Sequence, residues 1–437
     1  MRKYIIIFIL LLSFQGLSAD RYWVSGTGTW DAADGTHWSA TSGGGGGASA
    51  PGTSDNAIFN SASGLSGATV TTSGDITVYS VTWSATNGTL VIATNLYLSG
   101  ATGTLWTVTS GMTLTATSSS IVMNVGTITG NVTWDGGGKT YATVTLLTGN
   151  GFNTYITGIN IFSTLNLNST AVGQETYLLG ANQTIAASGL MVFSGQSNTL
   201  RLLVAGGSGA TARAYGTTRT ITFGALATVG TSQYVDLMDI AISGILWDAS
   251  AITGNSGDCG GNSGITFTTA TTCFWVSDNG SWSTAAMWKT TSGGAVTNRV
   301  PLPQDSCVFD ANSFSGNTKT VIIDMPRAGK SINLSGVTKT SITLSNILAF
   351  EFYGDLKFAS GILGYNGYNV SFAGRGRTFY IDTKGLGFGG AIDINAPTGT
   401  YELLSAFSTY VSSNYSTFNY GTFDAKTYNV YLTSVKI

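Results

Sequence analysis

The sequence predicts an all-β protein made of parallel β-solenoid units with tryptophan-rich β heads that act as caps. Apolar residues alternate with Thr, Ser and Gly over short stretches, only 9% of the 437 residues are charged, and Gly occurs 59 times. A period of two buries one face of a strand, and small polar residues suit the turns between strands. Tandem β-sandwiches, in which hairpins pair across two sheets, are the alternative fold.

The charge balance excludes a nucleic-acid partner. The chain has 19 Lys and Arg against 21 Asp and Glu, and no basic cluster follows Lys3, whereas a phosphate-binding surface needs grouped cations. Disorder is excluded as well, because 43% of the residues are hydrophobic and a disordered chain is poor in such residues.

The N-terminus has the pattern of a secretory signal. Arg2 and Lys3 precede the apolar run 5–12, and a small-residue site follows at 16–20. We expect residues 1–19 to form a signal peptide cleaved after Ala19; cleavage after Ser18 and an uncleaved anchor are the alternatives. No second apolar span follows, so we expect a secreted or cell-surface protein without a membrane span after cleavage.

One internal repeat organises the chain. Trp23 and Trp30 recur 252 residues later, and Trp38 recurs 250 residues later, so six of the ten tryptophans fall in two matched triplets. Pro51, Asp55 and Phe59 also recur, as Pro301, Asp305 and Phe309. Because Trp is rare, the match indicates a duplication.

The repeat divides the chain into heads and strand-rich units. We expect head 1 at residues 20–60, the first β-repeat unit at 61–268, head 2 at 269–315 and the second unit at 316–437. The Gly- and Asn-rich segment 254–264 is interpreted as a flexible boundary that cannot form a core strand. The chain ends soon after the strand-like stretch 428–432, so we expect the second unit to be incomplete.

Pairs of apolar residues spaced by two mark the strands of both units. In the first unit they are Ile76/Val78, Leu96/Leu98, Val132/Trp134, Val144/Leu146 and Leu165/Leu167; in the second they are Ile332/Leu334, Ile342/Leu344, Phe350/Phe352, Val370/Phe372 and Ile392/Ile394.

At these heads the sequence resembles a group of uncharacterised Thr/Ser/Gly-rich repeat proteins of tailed phages and environmental bacteria. The resemblance rests on the head pattern Tyr-Trp-Val…Gly-Thr-Trp…Trp…Ser-Gly-Gly…Pro…Asp…Phe and on the junction segment 258–267, Asp-Cys-Gly-Gly-Asn-Ser-Gly-Ile-Thr-Phe. It implies a structural role on a virion, in a fibre like a phage tail fibre, or on a cell surface. The export pattern departs from a typical phage tail protein and favours a surface product.

The sequence offers little for catalysis, so we expect no enzyme and no cofactor. His37 is the only histidine, which excludes a multi-histidine metal site, and we expect no metal. Two carboxylate pairs, Asp236 with Asp239 and Glu351 with Asp355, are the only candidates for sugar cleavage. The alternative is that these are exposed charges that keep the surface soluble. Asp258 could bind calcium in its Gly/Asn loop, or simply belong to a turn.

The aromatic residues are the candidates for carbohydrate contact, because sugar rings stack on aromatic faces. They are Trp30, Trp38, Trp282 and Trp288 in the heads, and Tyr410, Tyr415 and Tyr420 near the C-terminus. Burial as the core of each head is the competing interpretation for the tryptophans.

The chain has three cysteines, and export would permit a disulfide. Cys259 and Cys273 are near each other in sequence and are the candidate pair; three unpaired thiols are the alternative.

These patterns favour a secreted or surface-exposed structural and adhesion protein, fibre-like and associated with a phage or a cell surface. The alternatives are a non-catalytic carbohydrate-binding module and a carbohydrate-active β-helix enzyme, a lyase or a glycosidase. The expected partners are cell-surface or environmental glycans, further copies of the chain, or a virion or surface assembly.

Overall fold

A computed structural model of the protein describes residues 19–116, 118–123, 128–170, 176–209, 212–410 and 415–436. It is all-β and forms a β-solenoid of about 16 turns. The predicted solenoid is therefore confirmed over the sandwich alternative. The proposed signal peptide lies outside the described residues, except for Ala19.

Among the described residues, head 1 and the first unit together contain 27 strands. They are β1 (Ala19–Trp23), β2 (Gly28–Trp30), β3 (Trp38–Ser39), β4 (Asp55–Phe59), β5 (Thr69–Thr72), β6 (Ile76–Val78), β7 (Ser80–Trp83), β8 (Thr89–Val91), β9 (Leu96–Leu98), β10 (Gly103–Val108), β11 (Thr113–Thr115), β12 (Ser120–Met123), β13 (Val132–Asp135), β14 (Thr140–Thr148), β15 (Asn153–Thr157), β16 (Ile161–Ser169), β17 (Thr176–Leu179), β18 (Gln183–Ser194), β19 (Leu202–Ser208), β20 (Ala212–Arg213), β21 (Arg219–Phe223), β22 (Thr228–Val229), β23 (Gln233–Met238), β24 (Ile240–Ser243), β25 (Trp247–Asp248), β26 (Thr253–Asp258) and β27 (Ile265–Thr266).

Head 2 and the second unit together contain 18 strands in the part of the chain that the structure describes. They are β28 (Thr272–Trp275), β29 (Gly280–Ser281), β30 (Trp288–Lys289), β31 (Ser306–Val308), β32 (Lys319–Ile323), β33 (Ser331–Asn333), β34 (Ile342–Asn346), β35 (Phe350–Phe352), β36 (Leu356–Lys357), β37 (Ile362–Asn366), β38 (Val370–Phe372), β39 (Thr378–Asp382), β40 (Gly387–Phe388), β41 (Ile392–Leu403), β42 (Phe407–Thr409), β43 (Ser416–Asp424), β44 (Val430–Tyr431) and β45 (Val435–Lys436).

Helix is limited, within the described ranges, to two three-residue 3-10 turns, Ser61–Ser63 and Ala285–Met287. Neither turn approaches the length or the apolar content that a membrane-crossing helix needs.

Parallel pairing along the solenoid axis builds the sheets. The first unit has sheets of 21, four and two strands, and the second has sheets of 11 and seven strands. Within the described chain, antiparallel pairing joins β1 to β3, β28 to β30, and β19 to β20. Each coil therefore lays its strands on those of the coil before it, as a parallel solenoid requires.

The alternating apolar residues become continuous ladders inside the coils. In the first unit, Ile76, Leu96, Ile121, Val144 and Leu165 occupy successive positions of one ladder. All five side chains are buried. In the second unit a similar ladder consists of Cys273, Cys307, Ile332, Leu356, Ile381 and Leu403.

The two tryptophan heads fold alike. Trp23 meets Trp38 edge-on at 5.2 Å and 86°, and Trp275 meets Trp288 at 5.1 Å and 82°. In both heads the strand with the first tryptophan, β1 or β28, pairs antiparallel with the strand that carries the third tryptophan, β3 or β30. The same strand also pairs parallel with the strand that leads into the repeated Phe, β4 in head 1 and β31 in head 2. The duplication seen in the sequence is thus a duplication of structure, and each head forms the first coil of its solenoid.

The Gly-rich boundary segment forms a strand, which corrects its interpretation as a flexible link. β26 pairs parallel with β23 and completes the last coil of the first unit. Its small residues are needed there, because a side chain at Gly257 would come within 2.0 Å of the Asp236 carboxylate.

The two solenoids pack against each other along one seam. Gln304, in head 2, bonds to the Ser256 carbonyl in the last coil of the first unit. One coil further along the second unit, Arg327 contacts Asp236, and in the following coils Glu351 contacts Arg213 and Arg375 contacts Asp239. Successive coils of the second solenoid therefore all contribute to the seam.

Candidate functional site between the two solenoids

The candidate site is a groove at the seam where the solenoids meet. It has a volume of about 560 Å³, within the range of small-molecule sites. The first unit contributes Asn153, Thr176, Arg213 and Tyr215, and the second contributes residues of β35, β38 and β41 together with the preceding loops. A neighbouring hollow of about 520 Å³ shares Arg213, Tyr215, Asp393 and Asn395 and extends the groove to Tyr420. We call these two hollows together the seam groove.

A fully buried charge triad lies beside the groove and joins the units. The Asp236 side chain is 0% exposed and accepts hydrogen bonds from Arg201 at 2.8 Å and from Arg327 at 2.5 Å. Arg327 also donates to the Arg201 carbonyl at 3.0 Å. Burial raises the pKa of Asp236, but the two guanidinium groups outweigh it and hold that pKa below its usual value. The carboxylate therefore stays charged and bridges the seam.

Two further ion pairs cross the seam. Arg375 donates to both carboxylate oxygens of Asp239, and Arg213 contacts Glu351 at 2.6 Å. Asp239 also accepts the Gly216 amide at 2.9 Å. Because each of these carboxylates is paired with an arginine, their first role is to hold the two units together.

This arrangement corrects the interpretation of the carboxylate candidates as exposed, solubilising charges. Asp236, Asp239 and Glu351 are buried, and only Asp355 is partly exposed, with Arg377 at 3.6 Å. The two candidate catalytic pairs do not form either. Asp236 and Asp239 bind different arginines. Glu351 lies on β35, whereas Asp355 precedes β36.

A ladder of polar side chains runs along the groove wall. Glu351, Ser371, Asp393 and Thr417 are paired in register on β35, β38, β41 and β43. The Thr417 hydroxyl donates a hydrogen bond to the Asp393 carboxylate. Because parallel strands lie about 4.8 Å apart, the groove presents a hydrogen-bonding group at nearly every coil.

Asparagines extend this ladder on the same strands. Asn419 donates to the Asn395 side-chain oxygen at 2.9 Å, and Asn395 donates to the Ser371 hydroxyl at 2.9 Å. Asn419 also donates to the Thr417 hydroxyl at 3.1 Å, and its side chain is exposed at the groove rim. The ladder is fixed by its own hydrogen bonds before any ligand arrives.

Asp393 is the titratable group in the groove whose environment favours the neutral form. Its partial burial raises its pKa above that of an ordinary aspartate, and the hydrogen bonds from Thr417 and Asn369 only partly offset that rise. Burial likewise raises the pKa of the Tyr215 hydroxyl. Within the groove, the charges of Arg213 and Glu351 offset each other in an ion pair.

Two tyrosines form the aromatic part of the groove. Tyr215, half-buried, lies 5.7 Å from Tyr420, with the rings tilted by 46°. Tyr420 is 38% exposed. Arg213 sits over the Tyr215 ring at 5.0 Å. Of the three tyrosines predicted to contact carbohydrate, Tyr420 lines the groove, whereas Tyr410 and Tyr415 are exposed at other places.

The head tryptophans are not contact residues, which corrects the first group of candidates. Trp30, Trp38, Trp282 and Trp288 are all 0% exposed and pack against Phe59 or Phe309. Burial as the core of each head, the competing interpretation, is the one the structure supports. His37 lies at the edge of this core, partly exposed, with its ring stacked on Trp23 at 4.8 Å.

The predicted Cys259–Cys273 disulfide is absent, and all three cysteines have free thiols. Cys259 lies at the seam among Met238, Tyr353 and Ala373, whereas Cys273 lies inside the second solenoid. The two belong to different cores, so their closeness in sequence does not bring the thiols together.

Asp258 is used within its own turn. Its carboxylate accepts the Gly260 amide at 2.9 Å and the Asn262 side chain at 2.8 Å. In the part of the chain that the structure describes, no three His, Cys, Asp or Glu side chains gather as a metal site.

Isolated charges in the sequence are a signal of the seam. The chain has few charged residues, yet Arg201, Asp236 and Arg327 lie in or next to apolar, strand-like segments of the sequence. An unpaired charge buried there would be costly. Buried charges are usually paired, so isolated charges inside such stretches indicate a contact between units. Comparison with protein-family models, with curated proteins and with solved structures finds no match.

Proposed function

We propose that this chain is an exported, surface-exposed structural and adhesion protein that binds a neutral glycan in the seam groove. The observation that carries the proposal is the groove itself. It combines a preformed ladder of amide and hydroxyl groups with the Tyr215 and Tyr420 rings.

The ligand class follows from the chemistry of the groove walls. A sugar offers hydroxyl groups that both donate and accept hydrogen bonds, and apolar C–H faces that pack on aromatic rings. Asn395, Asn419 and Ser371 match the hydroxyl groups, and Tyr420 matches the ring face. The pairing of Arg213 with Glu351 leaves little net charge to select an ionic ligand.

The structural part of the proposal rests on the packing of the two solenoids. Three arginine–carboxylate contacts cross the seam between coils that are themselves stacked by parallel pairing. Such a body holds a binding groove at a fixed geometry, which suits adhesion to a repetitive surface. The apolar run and small-residue site at the N-terminus support export, and a cell surface or a virion is the proposed location.

The test is binding of purified mature chain to a glycan array, followed by titration calorimetry with the glycans that bind. We expect Tyr420→Ala and Asn419→Ala each to weaken binding by roughly tenfold, which corresponds to about 1.4 kcal/mol. Tyr431→Ala is the matched control, because Tyr431 is 65% exposed on β44 and away from the groove. Binding that survives both groove substitutions, or an array with no neutral glycan bound, would contradict the proposal.

Glycoside hydrolysis is a second candidate, favoured by one observation. Glu351 and Asp393 line the same groove two strands apart, roughly 10 Å between backbones, and an inverting mechanism uses two carboxyl groups separated by a water. The raised pKa of Asp393 suits a general acid. Because Arg213 occupies Glu351, binding without cleavage is the preferred function. Release of reducing ends from a bound glycan, abolished by Asp393→Asn and Glu351→Gln, would reverse that preference.

A further inference from the structure

Two of the three cysteines lie side by side in the second solenoid. Cys273 on β28 and Cys307 on β31 are direct partners in a parallel pair. Both side chains are 0% exposed and point into the same core. They are the first two positions of the inner ladder that continues through Ile332 and Leu356.

This register meets the geometric requirement for a bridge. Neighbouring parallel strands lie about 4.8 Å apart, and disulfides join Cα atoms separated by roughly 4.4–6.8 Å. The two thiols face different acceptors in the reduced form, the Arg299 carbonyl at 4.0 Å and the Ala328 carbonyl at 3.4 Å. Rotation of the two side chains about their Cα–Cβ bonds is the movement that would bring the sulfurs together.

The first solenoid shows what the same positions hold without thiols. The strand pair that corresponds to β28 and β31 is β1 and β4, where Arg21 is the partner of Ala57. The head therefore folds without any cross-link at this position. The adjacent thiols are a feature of the second head alone.

We propose that Cys273 and Cys307 form a disulfide when the chain folds in an oxidising compartment, and that Cys259 remains a free thiol. The two thiols lose two protons and two electrons as the S–S bond forms. A disulfide donor, such as oxidised glutathione, accepts them and is reduced to two thiols. The bridge ties the first strand of the second solenoid to the next coil across residues 274–306, and so holds head 2 closed.

The timing of the reaction follows from the burial of both sulfurs. Burial raises the pKa of Cys273 to about 12 and raises the pKa of Cys307 well above its usual value. Thiolate, the reactive form, is therefore scarce once the coil has closed. Oxidation belongs to the folding chain rather than to the folded protein.

The experiment refolds the full chain in a buffer of reduced and oxidised glutathione and counts thiols after denaturation. We expect one free thiol per chain instead of three, a mass loss of roughly 2 Da, and a single cross-linked peptide pair containing Cys273 and Cys307. The same oxidant added to folded, reduced protein should act much more slowly. Cys259→Ser should oxidise as the wild type does, whereas Cys307→Ser should not form the bridge.

Stability provides a second measurement on the same samples. Oxidised wild type should melt several degrees above reduced wild type, and Cys307→Ser should show no such dependence on redox state. Three free thiols after oxidative refolding, or a bridge that includes Cys259, would overturn the proposal.

Discussion

At the scale of single residues, Asp236 carries the largest energetic consequence. Its carboxylate pairs with both Arg201 in the first unit and Arg327 in the second, and all three side chains are buried. Removing one partner of a buried ion group leaves an uncompensated charge, which typically costs about 3–5 kcal/mol.

We therefore expect Asp236→Asn to lower the free energy of unfolding by about 3–5 kcal/mol, measured by urea denaturation followed by far-UV circular dichroism. Asp248→Asn is the control, because Asp248 is exposed and bonds only within its own turn. Equal stabilities of the two variants would show that the triad contributes little to the fold.

Asp393 makes the stability of the protein depend on pH, because its pKa is raised, whereas that of Asp236 is lowered. Because its pKa is raised in the folded state, the folded protein binds the proton more tightly than the unfolded chain. The resulting stability is fully present below the unfolded pKa of about 3.9 and is lost as the pH rises through the folded pKa.

Asp393→Asn keeps the acceptor for Thr417 without the charge. We expect this variant to be more stable than the wild type at pH 7 and equal to it near pH 3, in urea titrations at both pH values. A variant less stable than the wild type at pH 7 would mean that the carboxylate is favoured where it lies.

At the scale of elements, the strands could be predicted from the sequence, but the surfaces that pack on their outward faces could not. The spacing of Val144 and Leu146, or of Phe350 and Phe352, predicts strands with one buried face, and β14 and β35 have that face inside. The opposite face carries Glu351, Asp236 and Arg327 into contact with another unit. Alternation tells which residues share a face, but not what covers the second face.

The heads give a prediction at this scale. Trp38 and Trp288 occupy equivalent, fully buried places, so Trp38→Ala and Trp288→Ala should each destabilise the protein by about 3–5 kcal/mol. Thermal unfolding followed by circular dichroism measures this, with Tyr431→Ala as the exposed control. A large effect in one head and none in the other would separate two elements that the geometry makes equal.

At the scale of the whole molecule, the packing of the two solenoids against each other could not be predicted from the sequence. The duplication predicted two similar units, and the Gly-rich segment 254–264 suggested a loose connection between them. Instead, Gly257 and Gly261 allow the close approach of Asp236 and Asp239, since a side chain at either would come within 2.1 Å of a carboxylate oxygen. Glycine marked a tight contact and not a hinge.

The seam can be tested in solution. Arg213→Glu combined with Arg375→Glu places like charges against Glu351 and Asp239. We expect the maximum dimension from small-angle X-ray scattering to increase while the far-UV spectrum stays β-rich, because the coils are held by their own pairing. Lysine at both positions is the control that keeps the charge, and an unchanged scattering profile in the glutamate variant would show that these ion pairs do not hold the solenoids together.

The seam also determines how the molecule would respond to mechanical load. The coils within each solenoid are held by continuous backbone pairing, whereas side-chain contacts such as Arg213–Glu351, Arg327–Asp236 and Arg375–Asp239 join the two solenoids. A force that pulls the solenoids apart therefore acts on these side-chain contacts before it acts on the coils. Because Arg213 and Glu351 line the seam groove, such a force would distort the groove while the coils stay intact.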